Sequence, residues 1–194
     1  ESVYFFSVMT TPPLHLVPDT DAHQQYTQWL IAEDPATLLH LDGGTYGRPI
    51  TQAGVLLAYQ EAYPKRFDHR FPFREGNLLC CNSYYACLSA VGEHIGHVDC
   101  LVVDSPVLGG TVGWLFMVYV VPAHRGRGWG KALVRQALRT FVGSCRTVYL
   151  TVLDDNPRAK QMYISVGFDV VNRISLPGVD GTVNVMAIEV PEEA

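Results

Sequence analysis

No aspartate or glutamate occurs between positions 105 and 153 of this 194-residue chain. The same stretch carries Arg125, Arg127, Lys131, Arg135, Arg139 and Arg146, a formal +6, while the remainder sums to −11 around a net charge of −5. Such a block is either a solvated basic helix face or a built-in site for a polyanion. The acidic average speaks against a dedicated nucleic-acid binder. Long apolar runs are missing too. The longest, residues 112–121, is half of what a membrane-crossing helix needs, and no basic segment precedes a signal-like stretch, so no membrane partner is expected. The five cysteines (Cys80, Cys81, Cys87, Cys100 and Cys145) are odd in number and contain no CxxC pair. That argues against a disulfide framework and for a reducing, cytoplasmic setting. There are no internal repeats and no low-complexity tracts.

What remains is enough for one domain with a sizeable core, since 48% of residues are apolar and 17% charged. Residues 1–9 resemble a protease-cleavable expression tag ending at a start methionine, Met9, and are set aside as a tag remnant; residues 10–194 are read as a single domain. A short strand is expected over 14–17, and helices over 22–32 and 51–63. Residues 64–75, where Lys65, Phe67, Arg70, Phe71 and Arg74 mix aromatic and basic character, read as a loop. Strands follow over 84–91 and 94–103, joined by a turn at Gly92 and Glu93. Residues 112–121 form the most apolar strand, buried on both faces. Next come a helix over 128–142, a strand over 148–153 and a helix over 157–166. Two strands around a turn at 177–181 complete a mixed α/β arrangement. Cys80 and Cys81 are expected to be buried thiols.

The central feature follows the apolar strand. The strand stops at Pro122, and Gly126, Gly128 and Gly130 then open a helix. Glycine lets successive amides turn toward one point, and the helix N-terminus adds unpaired donors and a positive dipole end. Such a turn suits a pyrophosphate, and it lies in the acid-free block. Two phosphate motifs are excluded. A P-loop needs glycine where Arg125 stands and Ser or Thr where Ala132 stands. A dinucleotide fingerprint needs Gly or Ala at Lys131 or Leu133, with an acidic residue about twenty positions on, and has neither.

The pattern that does fit is R/Q-x-x-G-x-G/A after a strand ending in V-x-P: Val120, Pro122, Arg125, Gly128 and Gly130. It resembles the acyl-CoA-binding motif of the GCN5-related N-acetyltransferase superfamily. A second segment agrees in order and spacing, with Asn156, Ala159, Tyr163, Gly167 and Phe168 matching N-x-x-A-x-x-x-Y-x-x-x-G-F. The resemblance covers residues 84–190. It implies a mixed, largely antiparallel sheet with helices on both faces, parted at its central strands, and amino-terminal helices (19–75) on the acceptor side.

The resemblance also implies acetyl-CoA as cosubstrate, without a metal, and direct attack by a primary amine on the thioester. The Val120 backbone would pair with the pantetheine arm. Residues Arg125, Gly126, Arg127, Gly128, Trp129, Gly130 and Lys131 would cradle the pyrophosphate. Asn156 would add a cofactor hydrogen bond beside its plain role as helix N-cap before Pro157. Tyr163 is the candidate general acid for the leaving thiolate; the plainer reading is a half-buried helix tyrosine. Lys131, Arg135 and Arg139 lie four apart on one stripe, opposite Val134, Ala137, Leu138 and Phe141, and Arg135 and Arg139 read as solvated.

One departure stands out. Where well-studied members carry a glutamate, six residues before Val120, this chain has Trp114, and the strand has no acid. His97, Asp99, a relayed water or an amine that enters neutral could substitute, and no base is assigned. His94, His97, Asp99 and Cys100 lack zinc spacing, so no metal site is expected. The expected activity is an N-acetyltransferase acting on a small-molecule amine, with protein amino groups as second choice. A catalytically silent acyl-CoA-binding module and a nucleotide-binding protein are the rivals. A homodimer is left open.

Overall fold

The computed structural model describes residues 14–18, 77–88, 92–106, 108–175 and 182–191. The chain runs through β1 (His15–Pro18), β2 (Asn77–Cys87), β3 (His94–Ser105), β4 (Gly110–Val120) and a 3-10 turn (Pro122–His124). It continues through α1 (Trp129–Arg139), β5 (Thr147–Leu153), α2 (Pro157–Val166), β6 (Asp169–Ile174) and β7 (Val183–Glu189). The helices expected over 22–32 and 51–63, the loop at 64–75, the tag-like residues 1–9 and the turn at 177–181 lie outside the described residues.

The described strands form one open sheet in the order β1-β2-β3-β4-β5-β7-β6. β4 and β5 are parallel and every other neighbouring pair is antiparallel. This is the mixed, largely antiparallel sheet expected from the sequence. One strand departs widely from its expected bounds. β2 begins at Asn77 rather than 84 and ends at Cys87 rather than 91, because its backbone pairs with β3 from Asp104 onward through a register shift that blurs the alternation. β1 covers β2 only from Tyr84 to Cys87, so among the described residues the earlier part of β2 is an outer edge. Cys80, expected to be buried, is therefore exposed.

Both described helices pack on one face of the sheet. α1 buries Trp129, Leu133, Val134, Ala137 and Leu138, the apolar stripe of a surface helix, and exposes Arg135 and Arg139. It ends three residues earlier than expected, at the Thr140 cap, before a turn through Gly143. α2 starts at Asn156, whose Oδ1 accepts the Ala159 N–H at 3.2 Å, and Pro157 occupies the first turn. Its end is fixed by Phe168, which is buried and meets Tyr163 edge-on at 5.9 Å. The helix-side core gathers Leu115, Phe141, Leu150 and Met186; Leu101, Val103, Val112, Trp114 and Val185 form a second cluster.

At one point the helix layer touches sheet backbone. A Cβ added at Gly113 would lie 2.7 Å from the Phe141 ring and 2.8 Å from the Val148 side chain. Both neighbours are fully buried and cannot yield. Gly113→Ala is therefore expected to cost about 1–3 kcal/mol through overpacking. Thermal denaturation should record that as a fall in Tm of several degrees. Gly130→Ala, whose new carbon would meet Met162 and Val120 at 3.8 and 4.0 Å, should leave Tm unchanged. Equal melting of the two variants would contradict this account.

Candidate active site

β4 and β5 pair at only two rungs, Gly113 with Val148 and Trp114 with Tyr149. Beyond Trp114 the two strands part, and among the described residues each is paired on its outer side, β4 by β3 and β5 by β7. The split opens toward the carboxyl ends of both strands, where open α/β sheets place their ligands. β4 also bulges here. His97 and Asp99 of β3 face Tyr119 and Phe116, so β4 carries one residue more than its partner. Met117 takes φ +49° within the bulge, a conformation that costs a non-glycine residue about 1–2 kcal/mol.

Val120 ends β4. The N–H of Val121 donates to the Ile95 carbonyl at 2.9 Å, which turns the N–H and C=O of Val120 away from β3 and toward the split. The Val120 carbonyl accepts Arg125 Nε at 2.8 Å, and the guanidinium lies 5.2 Å from the Tyr119 ring centroid. The Arg125 N–H is spent within the 3-10 turn, on the Pro122 carbonyl at 3.1 Å. The remaining donors of the turn begin at Gly126.

Gly126 and Gly128 have φ of +76° and +84°, the left-handed region that side chains resist, and an added Cβ at either would meet nothing within 4 Å. Gly128 is the N-cap of α1, without a side-chain cap and without an acid in the first turn. The amides of Trp129, Gly130 and Lys131 thus have no intrahelical acceptor; Ala132 is the first to bond back, to Gly128 at 3.1 Å. Arg127 is exposed and Lys131 half-buried. The indole of Trp129 is 6% exposed and belongs to the core, so only its backbone belongs to the turn.

The second motif lies at the end of β5. Asn156 commits its Oδ1 to the helix cap, and its NH2 makes no hydrogen bond among the described residues. The two motifs meet where Gly130 faces Met162 and Val120. Tyr163 is buried against the helix-side core, and burial pushes its phenol well above the usual tyrosine range. Packing accounts for much of its position.

A polar network that residue patterns did not reveal anchors α2 to the sheet. Asn184, fully buried on β7, donates to Asp154 Oδ1 at 2.6 Å and accepts Lys160 Nζ at 3.0 Å and Arg173 Nε at 3.2 Å. Thr182 also donates to Asp154. The Thr182 and Asn184 hydrogen bonds, then Arg173 and Lys160, hold the Asp154 carboxyl down at about 2.

At the closed end of the split Trp114 is fully buried, stacked on Tyr149 at 5.8 Å and tilted against Phe116 at 6.2 Å. His97 and Asp99 do share a face, with Nε2 and Oδ1 3.4 Å apart, and both are buried. His97 meets Tyr85 edge-on at 5.7 Å. Among the described residues no group of three or more His, Cys, Asp or Glu is placed to hold a metal ion.

The profile of the Acetyltransferase (GNAT) family matches residues 12–168. A curated relative, N-alpha-acetyltransferase 40 of Saccharomyces cerevisiae, is 38% identical over 63 residues, covering 28% of this chain and 22% of that protein. The chain thus aligns with about a fifth of that relative's length. Among solved structures, spermidine N-acetyltransferase from Vibrio cholerae in complex with CoA and spermine superposes with a TM-score of 0.59 at 15% identity, covering 91% of this chain and 95% of that one. AAC(6')-Ib in complex with ribostamycin and coenzyme A superposes with a TM-score of 0.60 at 20% identity, covering 91% and 93%. At these identities the likeness is one of fold.

Proposed function

The chain belongs to the GNAT family of acetyltransferases, and on that premise we propose that it acetylates a primary amine of a small molecule, with acetyl-CoA as donor. The observation that carries this reading is the parted pair β4 and β5, with an uncapped glycine turn at its open end. The residues fit the cosubstrate. The amides from Gly126 to Lys131 would hold its pyrophosphate, and the open space above Gly126 and Gly128 admits it. The backbone of Val120 would align the pantetheine arm, and Arg125 would share or release the carbonyl it now holds. Bound there, acetyl-CoA supplies a thioester carbonyl to the acceptor amine. Tyr163 would donate a proton to the departing sulfur.

Small amines are favoured by two things. The body outside the basic block is strongly acidic, which suits cationic acceptors. The fold likeness to acetyltransferases solved with spermine and with ribostamycin runs over 91% of the chain. A second reading, acetylation of protein amino groups, is favoured by the segment shared with N-alpha-acetyltransferase 40.

Thiol release from acetyl-CoA, measured with spermidine, an aminoglycoside and a free amino-terminal peptide, tests the choice. Release with either small amine is expected. Release with the peptide alone would transfer the assignment to protein substrates. CoA binding without turnover on any amine would favour a silent module, consistent with Trp114 in the place of the strand glutamate.

A further inference from the structure

We propose that Trp114 and Tyr149 are the chain-length gauge of the acyl site: they close the split at a depth that admits acetyl and excludes longer acyl groups. The inference rests on the proposed acetyl-CoA site and adds what that site selects. A cosubstrate anchored by its pyrophosphate at residues 126–131, with its arm along Val120, carries its acyl group as the deepest part. It therefore points down the split toward the rung where β4 and β5 rejoin.

That rung is sealed. Trp114 and Tyr149 are its backbone partners, and their rings stack at 5.8 Å with planes 17° apart. Phe116, the next same-face residue of β4, tilts against the indole at 6.2 Å and extends the wall. The adjacent rung of Gly113 and Val148 is blocked by Phe141, since not even a methyl fits over Gly113. Leu115 and Leu150, the first residues past the junction, are both buried in the helix-side core. From Trp114 to Val120 is six residues, at most about 20 Å because the bulge at Met117 shortens the strand. The split thus ends at a backbone rung that carries, on one face of the sheet, two rings already packed against one another. Smaller side chains at 114 would leave it open.

The test compares CoA, acetyl-CoA and hexanoyl-CoA by calorimetric titration, alongside turnover of acetyl- and hexanoyl-CoA. Wild type is expected to bind CoA and acetyl-CoA, with hexanoyl-CoA at least about tenfold weaker, the scale on which apolar pockets discriminate added methylenes. Trp114→Ala should bring hexanoyl-CoA to within about threefold of acetyl-CoA. Because Trp114 is fully buried and its loss can unfold the chain, Tyr149→Ala, at a half-buried position, serves as the second variant and should shift the same ratio in the same direction. Equal binding of both acyl forms by wild type, or an unchanged ratio in a folded Tyr149→Ala protein, overturns the gauge. Failure of wild type to bind CoA at all instead removes the acetyl-CoA site itself.

Discussion

Replacing Gly128 with valine is expected to raise the dissociation constant for CoA by about two orders of magnitude while the protein stays folded. At φ +84° a β-branched residue bears a strain of about 1–2 kcal/mol. If the turn relaxes to relieve it, at least one amide leaves the phosphate, and a hydrogen bond to a charged group contributes about 1.5–3 kcal/mol. At the upper end of that range the loss is about 3 kcal/mol, roughly a hundredfold in Kd. The fold loses no more than that backbone strain, because Gly128 is exposed and a new Cβ would touch nothing within 4 Å. Titration of CoA alongside a melting curve separates the two effects. An unchanged Kd with a lowered Tm would mean that the turn shapes the chain and holds no pyrophosphate.

Tyr163→Phe is expected to lower kcat by about a hundredfold, the modest end of general acid catalysis, with KM for acetyl-CoA and Tm near those of wild type. The hydroxyl is the whole difference, and the ring keeps its edge-on contact with Phe168. The shift of the phenol has a definite sign. Burial raises it, so the proton stays on as pH rises through 10, where an unburied tyrosine would lose it. Wild-type kcat should therefore show no alkaline decline from this group up to about pH 10. A folded Tyr163→Phe enzyme with kcat within about twofold of wild type would leave Tyr163 as a packing residue only.

The parts legible in the sequence are those whose cause is local. Gly126 and Gly128 announce themselves because a tight turn with positive φ excludes side chains, and Asn156 with Pro157 because a helix start needs a side-chain acceptor and tolerates a missing N–H. The stripe of Val134, Ala137 and Leu138 is likewise readable from period alone. The early start of β2 was hidden because backbone pairing with β3, and not an apolar alternation, extends it. Trp114 was visible as a departure, yet its role depends on Tyr149, brought beside it only by parallel pairing. Trp129 lies among the turn residues in sequence but turns its ring into the core. The bond from Arg125 to the Val120 carbonyl has no signature at all, since every residue offers a carbonyl.

With two shared rungs between them, β4 and β5 make the molecule two half-sheets leaning on a narrow seam. The edges that face each other across the gap behave like the borders of a garment left unbuttoned: each side is finished outward and waits inward. A pantetheine arm laid between them would act as a borrowed strand, joining halves that the described strands leave apart. The donor would then be part of the architecture, so that resistance to unfolding would follow its concentration, by about 2.7 kcal/mol at a hundred times Kd. In such a protein substrate supply and structural integrity would be one variable.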